Sequence, residues 1–323
     1  MTFDHYKITK INLNYSIMNI TITGANGYIG THLTPYLATK GHKINAVTRI
    51  ESSSPDANNI VVDPGKLNSE NFPPTDVLIH LACIAHSKEK ISNKTYAQVN
   101  TLLPLKIAQL AQKNNVRQFI FLSTSKVHGE ESVIPIKSNA AYDPRDIYSE
   151  TKVNAERMLK SLGSSSMHIV AIRPPVVYGP NPKANIASLL DACKSRKILP
   201  LPNIENRRSF LYVGNLCSAI ESIILNPKTS FQGYVLDDGV ATSTEALALS
   251  IAEAVSSKPR IIHLSNSALS FVDQVFEKTI GRQLLRPLYT NFEIDCSDFI
   301  RDYNWQPPYD LHTALKKSFG QTS

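Results

Sequence analysis

The chain has 323 residues, of which 42% are hydrophobic, so it can bury a large core in one domain or in two unequal ones. Its formal net charge is +7, but the lysines and arginines are scattered and accompany no recognition motif, which argues against nucleic-acid binding. Four widely separated cysteines, no signal peptide and no apolar run near the roughly 18 residues of a membrane span predict a cytoplasmic protein that is neither secreted nor membrane-spanning.

Residues 1–17 are polar and precede Met18, so we expect them to form a poorly ordered N-terminal extension. After Met18, apolar runs alternate with helix-like stretches. The runs predict strands at Asn19–Thr23, Lys43–Thr48, Asn59–Val62, Asp76–Leu81, Arg117–Leu122 and His168–Arg173. The stretches between them predict helices at Tyr28–Lys40, Ser92–Asn115 and Ile147–Leu162.

This alternation predicts an α/β fold with a doubly wound parallel sheet, that is, a Rossmann domain, over residues 18–180. After position 180 the prolines cluster and the strands become short, near 210–213, 233–236 and 260–263, with helices near 185–197, 214–226 and 244–256. We therefore expect residues 181–323 to form a smaller C-terminal α/β region that binds the substrate.

The first strand runs into the segment TGANGYIG, which carries Gly24, Gly27 and Gly30. Gly24 permits a tight turn, Gly27 lets backbone amides approach a pyrophosphate, and Gly30 lets the following helix pack closely on the strand. The spacing is Gly-x-x-Gly-x-x-Gly, and a plain strand–turn–helix has the same signature. Its position after the first strand of an alternating chain favours a dinucleotide-binding loop.

The end of the second strand distinguishes NAD from NADP. An acidic side chain there accepts hydrogen bonds from the ribose hydroxyls, whereas an arginine pairs with a 2′-phosphate. Thr48 stands at this position, Arg49 follows it, and Glu51 comes later. NADP(H) is therefore favoured and NAD(H) stays open, because Arg49 could equally be a solvated loop residue.

The segment YSETK places Tyr148 and Lys152 four residues apart, on one face of a helix. A lysine ammonium beside a phenol lowers the pKa of the phenol and makes it a usable acid or base for a sugar or steroid hydroxyl. The spacing alone is weak, since Tyr36 and Lys40 share it. Tyr148 differs by its place on the helix after the fifth strand, downstream of the segment STSK at 123–126.

From Met18 onward the chain resembles the extended short-chain dehydrogenase/reductases, the NAD-dependent epimerase/dehydratase family of nucleotide-sugar enzymes. The resemblance rests on the segments TGANGYIG, DVLIHLA, QVN, FIFLSTSKVHG, YSETK, IRPPVVYGP and YNWQPP. It implies that Thr124 hydrogen-bonds the reacting sugar oxygen, that Tyr148 is the acid/base and that Lys152 orients the nicotinamide ribose. The cofactor contacts that it implies are Gly24, Gly27, Tyr28, Ile29, Gly30, Arg49, Asp63, Leu81, Ala82, Asn100, Lys152, Pro174 and Val177.

The two residues after Thr124 narrow the range of possible reactions. Family dehydratases carry Asp-Glu there, whereas this chain has Ser125 and Lys126, so dehydration lacks its proton carriers. The resemblance then implies hydride transfer at C4 of a UDP-sugar, most closely by a 4-reductase of UDP-2-acetamido-2,6-dideoxy-4-hexulose in surface polysaccharide synthesis. The alternative is a UDP-glucose or UDP-N-acetylglucosamine 4-epimerase. A third reading, a non-catalytic NADP sensor, fits less well because such a protein has no need of Thr124, Tyr148 and Lys152 together.

The resemblance also implies a set of substrate contacts and a homodimer. The contacts are His86, Ser125, Lys126, Asn185, Arg208 and Arg286. From the residues alone, His86 could be structural, Asn185 a helix cap and Arg208 a surface charge. No cluster of histidine, cysteine and aspartate has the spacing of metal ligands, so no metal is expected.

Overall fold

A computed structural model describes most of the chain from residue 17 onward. The described residues are 17–51, 54–85, 91–163, 167–195, 198–202, 206–228, 230–265, 267–268, 271, 274, 288 and 290–320. Residues 1–16 lie outside this set, and with them nearly all of the expected N-terminal extension. Over the described part of the chain, no helix combines the length and apolar character that crossing a membrane requires.

The strands and helices alternate as the sequence predicts. The strands are β1 (Asn19–Thr23), β2 (Lys43–Thr48), β3 (Asn58–Val61), β4 (Val77–His80), β5 (Gln118–Leu122), β6 (His168–Arg173), β7 (Val176–Tyr178), β8 (Ile198–Pro202), β9 (Phe210–Tyr212), β10 (Phe231–Val235) and β11 (Arg260–Leu264). The helices are α1 (Tyr28–Thr39), α2 (Asn93–Ala97), α3 (Leu103–Lys113), α4 (Ile147–Leu162), α5 (Ala184–Lys194), α6 (Val213–Leu225), α7 (Thr244–Ala254), α8 (Ser297–Tyr303) and α9 (Leu311–Phe319).

Seven of these strands form one parallel sheet in the order β10-β6-β5-β4-β1-β2-β3. Every residue of β5 and β6 is buried, because helices cover both faces of the sheet. The doubly wound Rossmann fold is confirmed. Strand order reverses between β1 and β4, and in such sheets ligands bind beyond the carboxyl ends of the strands at this reversal.

The two faces of the sheet carry separate hydrophobic clusters. On one face Ile20 and Ile79 pack with Leu33 of α1 and Ile220 of α6. On the other face the strands pack against α3 and α4, with Phe119 at the centre of that cluster. All five side chains are fully buried, so the strand ends that carry the site rest on a closely packed support.

The predicted helix over Ser92–Asn115 is interrupted. It divides into α2, a π-helical turn at Gln98–Leu102, and α3. Pro104 lies at the start of α3, and without an N–H it cannot donate to the carbonyl one turn earlier. The wider turn places Asn100 with its side chain fully buried, and such turns are frequent at functional sites.

The region after residue 180 contributes both to the sheet and to a smaller layer. Strand β10 pairs with β6 as the seventh strand of the main sheet, beyond the predicted limit of the Rossmann domain. Strands β7 and β9 pair with each other, as do β8 and β11. The main sheet therefore extends past residue 180. The division of the chain at this residue stays a prediction.

Candidate active site

The glycine loop after β1 has the close contacts that the sequence predicts. Gly24 has φ +76°, and a Cβ there would lie 2.7 Å from the backbone nitrogen of Ala82. A Cβ on Gly30 would lie 2.4 Å from the carbonyl oxygen of Ala25. Both positions therefore require glycine, one for its left-handed backbone and its contact with the loop after β4, the other for close packing of α1.

The amino end of α1 is open to an anion. Its N-cap is Gly27, no side chain caps it, and its first turn carries no acidic residue. Tyr28 and Ile29 are its first residues and are half-buried. Free N–H groups and the helix dipole at such an end attract phosphate, so the loop fits the pyrophosphate of a dinucleotide.

The end of β2 presents no carboxylate. Thr48 is buried, and its hydroxyl donates a 2.6 Å hydrogen bond to the carbonyl of Ile50. Arg49 is exposed, with no hydrogen bond or ion pair to any described residue. Asp63, the predicted contact after β3, caps a short turn by accepting a 2.7 Å hydrogen bond from the amide of Gly65.

The loop after β4 is held by Asn100. Its amide group accepts a 2.8 Å hydrogen bond from the Ile84 nitrogen and donates a 2.9 Å bond to the Ile84 oxygen. The amide of Leu81 donates to Thr23, which brings Leu81 and Ala82 beside the glycine loop. In the structure the amide group of Asn100 fixes the loop after β4, and its role as a cofactor contact stays a prediction.

Thr124, Tyr148 and Lys152 converge beyond the carboxyl end of β5. Tyr148 and Lys152 share one face of α4, and the hydroxyl of Thr124 lies close enough to the Tyr148 phenol to lower its pKa. The Lys152 ammonium is buried, donates a 2.8 Å hydrogen bond to the carbonyl of Leu122, and lies 5.9 Å from the centre of the Tyr148 ring. The three predicted catalytic residues are therefore neighbours at the carboxyl end of β5, the strand that pairs with β4.

The expected lowering of the Tyr148 pKa is not found. Burial raises the pKa of the phenol, and the neighbouring ionisable groups of Cys83 and Asp146 raise it further, whereas the Thr124 hydroxyl lowers it. Burial also lowers the pKa of Lys152, which Cys83 and Glu156 oppose. The sequence shows which groups are neighbours but not how deeply they are buried, and here burial has the larger effect on the phenol.

The sequence did not predict a buried ion pair that contacts Ser123, the residue before Thr124. Arg173 and Glu156 pair at 2.6 Å, with side chains 5% and 0% exposed. Ser123 and Tyr142 both donate hydrogen bonds to Glu156, and Arg173 donates to His128. Two signals were available: Glu156 lies four residues after Lys152 on the same face of α4, and Arg173 is the one charged residue in a buried apolar strand.

The turn that follows Thr124 packs against the loop after β6. The backbone amide of Ser125, a predicted substrate contact, donates a 2.9 Å hydrogen bond to the carbonyl of Pro174, and the Ser125 side chain is buried. Val177 is half-buried between two hydrophobic clusters. Pro174 thus contacts the catalytic turn, and its role and that of Val177 as cofactor contacts stay predictions.

The predicted substrate contacts are partly described. Asn185 is exposed in the first turn of α5, whose N-cap is Lys183, so Asn185 is not the cap. Arg208 is half-buried above the ring of Phe292 and donates to Thr290, so it is not a simple surface charge. Lys126 pairs with two carboxylates. The remaining two, His86 and Arg286, lie outside the described residues.

Burial lowers the pKa of Arg208 to about 10, with the charges of Glu130 and Glu131 opposing the shift. Arg208 forms no ion pair within the described ranges, so its charge is available to an anionic group. Within the same ranges, no three or more histidine, cysteine, aspartate and glutamate side chains are grouped as metal ligands.

His80 in β4 gives the support of the site a dependence on pH. Its ring is buried, shares a 2.8 Å hydrogen bond with Thr23, and has a pKa lowered from 6.5 to about 3 by burial and the charge of Lys152. The unfolded chain takes up a proton below about pH 6.5 that the folded state excludes. The contribution of His80 to stability is therefore complete above that pH and is lost as the pH falls toward 3.

The variant His80→Asn keeps a polar atom near Thr23. Between about pH 7 and pH 4.5, we expect the free energy of unfolding of the wild type to fall by about 2–3 kcal/mol more than that of His80→Asn. Urea denaturation at the two pH values measures this difference. The exposed residue His312 provides the control His312→Asn. Equal losses in wild type and His80→Asn would show that His80 takes up a proton in the folded protein.

The chain is similar to known proteins over most of its length. The family model for the NAD dependent epimerase/dehydratase family matches residues 20–236. UDP-glucose 4-epimerase of Vibrio cholerae is 29% identical over 313 residues, which cover 93% of this chain and 94% of that protein.

Two solved structures share the fold. One is UDP-glucuronic acid 4-epimerase from Bacillus cereus in complex with NAD, with a TM-score of 0.75 and 18% identity over 94% of this chain and 95% of that one. The other is RMD from Pseudomonas aeruginosa complexed with NADPH, with a TM-score of 0.70 and 20% identity over 93% and 97%. With its parallel sheet, its glycine loop and a family match over two thirds of its length, the chain belongs to the NAD-dependent epimerase/dehydratase family of nucleotide-sugar enzymes.

Proposed function

We propose that the protein transfers hydride at C4 of a UDP-sugar and acts as an NADP(H)-dependent 4-keto-sugar reductase in surface polysaccharide synthesis. One observation carries the proposal: Thr124, the phenol of Tyr148 and the Lys152 ammonium lie together at the carboxyl edge of the sheet. The two hydroxyl groups and the ammonium suit proton transfer to a sugar oxygen, and Ser125 and Lys126, the two residues after Thr124, lack the carboxylates that removal of water would need.

The roles of the three residues follow from their chemistry. A nicotinamide dinucleotide bound at the glycine loop supplies the hydride. Tyr148 donates its proton to the C4 oxygen, and Thr124 hydrogen-bonds the same oxygen and holds it in reach of the phenol. Lys152, anchored on the carbonyl of Leu122, supplies the positive charge that stabilises the phenolate left after proton donation.

The cofactor site supports the direction of reduction. The end of β2 offers Arg49 and no carboxylate, which suits the 2′-phosphate of NADP(H). A reductase oxidises one molecule of reduced cofactor in each turnover. It therefore benefits from using NADPH, the cofactor that cells keep in its reduced form.

A UDP-sugar 4-epimerase is the second candidate. The relative from Vibrio cholerae is named UDP-glucose 4-epimerase and spans nearly the whole chain, and the Bacillus cereus structure is a 4-epimerase with NAD. An epimerase would use the same three residues, with Tyr148 first accepting and then returning the proton.

We further propose that the charge of Arg208 faces the diphosphate of the nucleotide, because it is half-buried and has no carboxylate partner among the described residues. Asn185, exposed at the start of α5, is the second proposed contact. His86 and Arg286 complete the proposed set. A cytoplasmic homodimer is the proposed form of the enzyme.

The cofactor preference is tested at Arg49. We expect wild-type protein to prefer NADPH over NADH and Arg49→Ala to lower the ratio of kcat/KM values for the two cofactors about tenfold or more, because a charge-assisted contact with the 2′-phosphate is lost. Arg301→Ala, which removes another exposed arginine, is the control. An Arg49→Ala ratio equal to that of the wild type would reject Arg49 as the phosphate partner.

The function itself is tested with a panel of UDP-sugars. Purified protein is incubated with each sugar and with NADPH or NADH, and products are followed by mass and NMR. Oxidation of NADPH with a UDP-4-keto-6-deoxy sugar supports the reductase. Interconversion of UDP-N-acetylglucosamine and UDP-N-acetylgalactosamine without net use of cofactor supports the epimerase instead.

A further inference from the structure

A charged cluster borders the catalytic residues. The Lys126 ammonium lies 2.5 Å from an oxygen of Glu130 and 3.4 Å from Oδ2 of Asp146. Each of the three side chains is about two fifths exposed, so water screens the cluster only in part. Lys126, which contacts both carboxylates of the cluster, stands two residues after Thr124 in the sequence.

Each end of the Lys126–Asp146 pair belongs to an element that carries a catalytic group. The backbone amide of Lys126 donates a 3.3 Å hydrogen bond to the hydroxyl of Thr124, within the same short turn. Asp146 is the N-cap of α4, where it accepts a 2.7 Å hydrogen bond from the amide of Ser149 through Oδ1. Tyr148 follows two residues after this cap. The ion pair therefore joins the turn of Thr124 to the start of the Tyr148 helix.

One charge of this cluster also acts on Tyr148. The ionisable groups that face the phenol are Cys83, Asp146 and Lys152, and of the cluster Asp146 raises the pKa of the phenol. Burial raises the pKa of Asp146, but the hydrogen bonds from Ser149 and the charge of Lys126 bring it below its ordinary value. Asp146 thus stays ionised as the helix cap, with the Lys126 ammonium paired to its carboxylate.

We propose that Lys126 is a positioning residue that fixes Tyr148 relative to Thr124 through Asp146, and does not bind the sugar. The inference rests on the proposed function in that Tyr148 is the proton donor. The side chain of Lys126 is already paired with two carboxylates, whereas a substrate-binding lysine would present a free ammonium to the cleft. A displacement of about 1 Å between Thr124 and Tyr148 is enough to slow the reaction strongly.

The kinetic test compares Lys126→Met, which keeps the length of the side chain, with Lys126→Arg, which keeps its charge. We expect Lys126→Met to lower kcat about tenfold with KM within about twofold of the wild type, and Lys126→Arg to recover most of the rate. Lys137→Met, which breaks an exposed 3.6 Å pair with Asp295 on a different loop, should leave both constants unchanged. A raised KM with unchanged kcat in Lys126→Met would make Lys126 a substrate contact and overturn the proposal.

A second readout does not depend on activity. In protein labelled with 3-fluorotyrosine, the ¹⁹F resonance that is missing in Tyr148→Phe belongs to Tyr148. We expect it to shift or split in Lys126→Met and to coincide with the wild type in Lys126→Arg and Lys137→Met. An unchanged resonance in Lys126→Met would overturn the proposal even in an active enzyme. A wild-type protein that turns over no UDP-sugar would overturn the proposed function alone, because the resonance still decides the role of Lys126.

Discussion

Replacing Tyr148 by phenylalanine is expected to lower kcat by about two orders of magnitude or more, because the change removes the proton donor and leaves the ring in place. Steady-state rates with the best UDP-sugar of the panel measure the loss. The Thr124 hydroxyl stays in the variant, so the sugar oxygen keeps one hydrogen bond and binding should change little.

Tyr309→Phe is the control for this substitution. The Tyr309 ring packs edge-on against Tyr212, 5.5 Å away, in the region after residue 180 and outside the proposed catalytic residues. We expect it to keep close to the wild-type rate. A folded Tyr148→Phe variant with a rate near that of the wild type would remove Tyr148 from the mechanism.

Glu156→Gln is expected to cost about 3–5 kcal/mol of free energy of unfolding, because it leaves the Arg173 guanidinium buried without a neutralising charge. The exposed pair of Arg117 and Asp76, at 3.2 Å, provides the comparison. Arg117→Met should cost less than about 1 kcal/mol, since water screens that pair. Urea denaturation of the three proteins measures both differences.

The double variant Glu156→Leu/Arg173→Met separates the charge from the packing. Removing both charges leaves neither uncompensated, so we expect the double variant to be more stable than Glu156→Gln. If Glu156→Gln is no less stable than Arg117→Met, the buried pair does not stabilise the fold around Ser123 more than an exposed pair would.

Most of the fold could be predicted from local patterns. The predicted limits of β1, β2 and β6 agree with the structure to the residue, because each strand is rich in the β-branched residues isoleucine, valine and threonine, which favour strands. The limits of α4 are also as predicted, and the structure shows why: Asp146 and Ser149 form a capping box at its start. The catalytic pair of Tyr148 and Lys152 could be placed because both lie within this well-marked helix.

The remaining features depend on contacts between distant segments. The pairing of β10 with β6 joins residues about sixty positions apart, so a short run near 233–236 gave no sign that it belongs to the main sheet. Gly233 in β10 is explained only by the structure, in which a Cβ there would lie 2.3 Å from the Arg173 guanidinium. The raised pKa of Tyr148 likewise follows from burial, which no spacing in the sequence reveals.

The most direct test of the proposed function follows the hydride itself. The protein is incubated with NADPH that carries deuterium at both hydrogens of the nicotinamide C4 and with UDP-2-acetamido-2,6-dideoxy-4-hexulose, and the product is analysed by mass and proton NMR. The account predicts one NADPH oxidised for each sugar reduced, with deuterium on C4 of the product sugar. Deuterium absent from C4 of the product would contradict it, and so would a protein that leaves NADPH unoxidised with this sugar but interconverts UDP-N-acetylglucosamine and UDP-N-acetylgalactosamine.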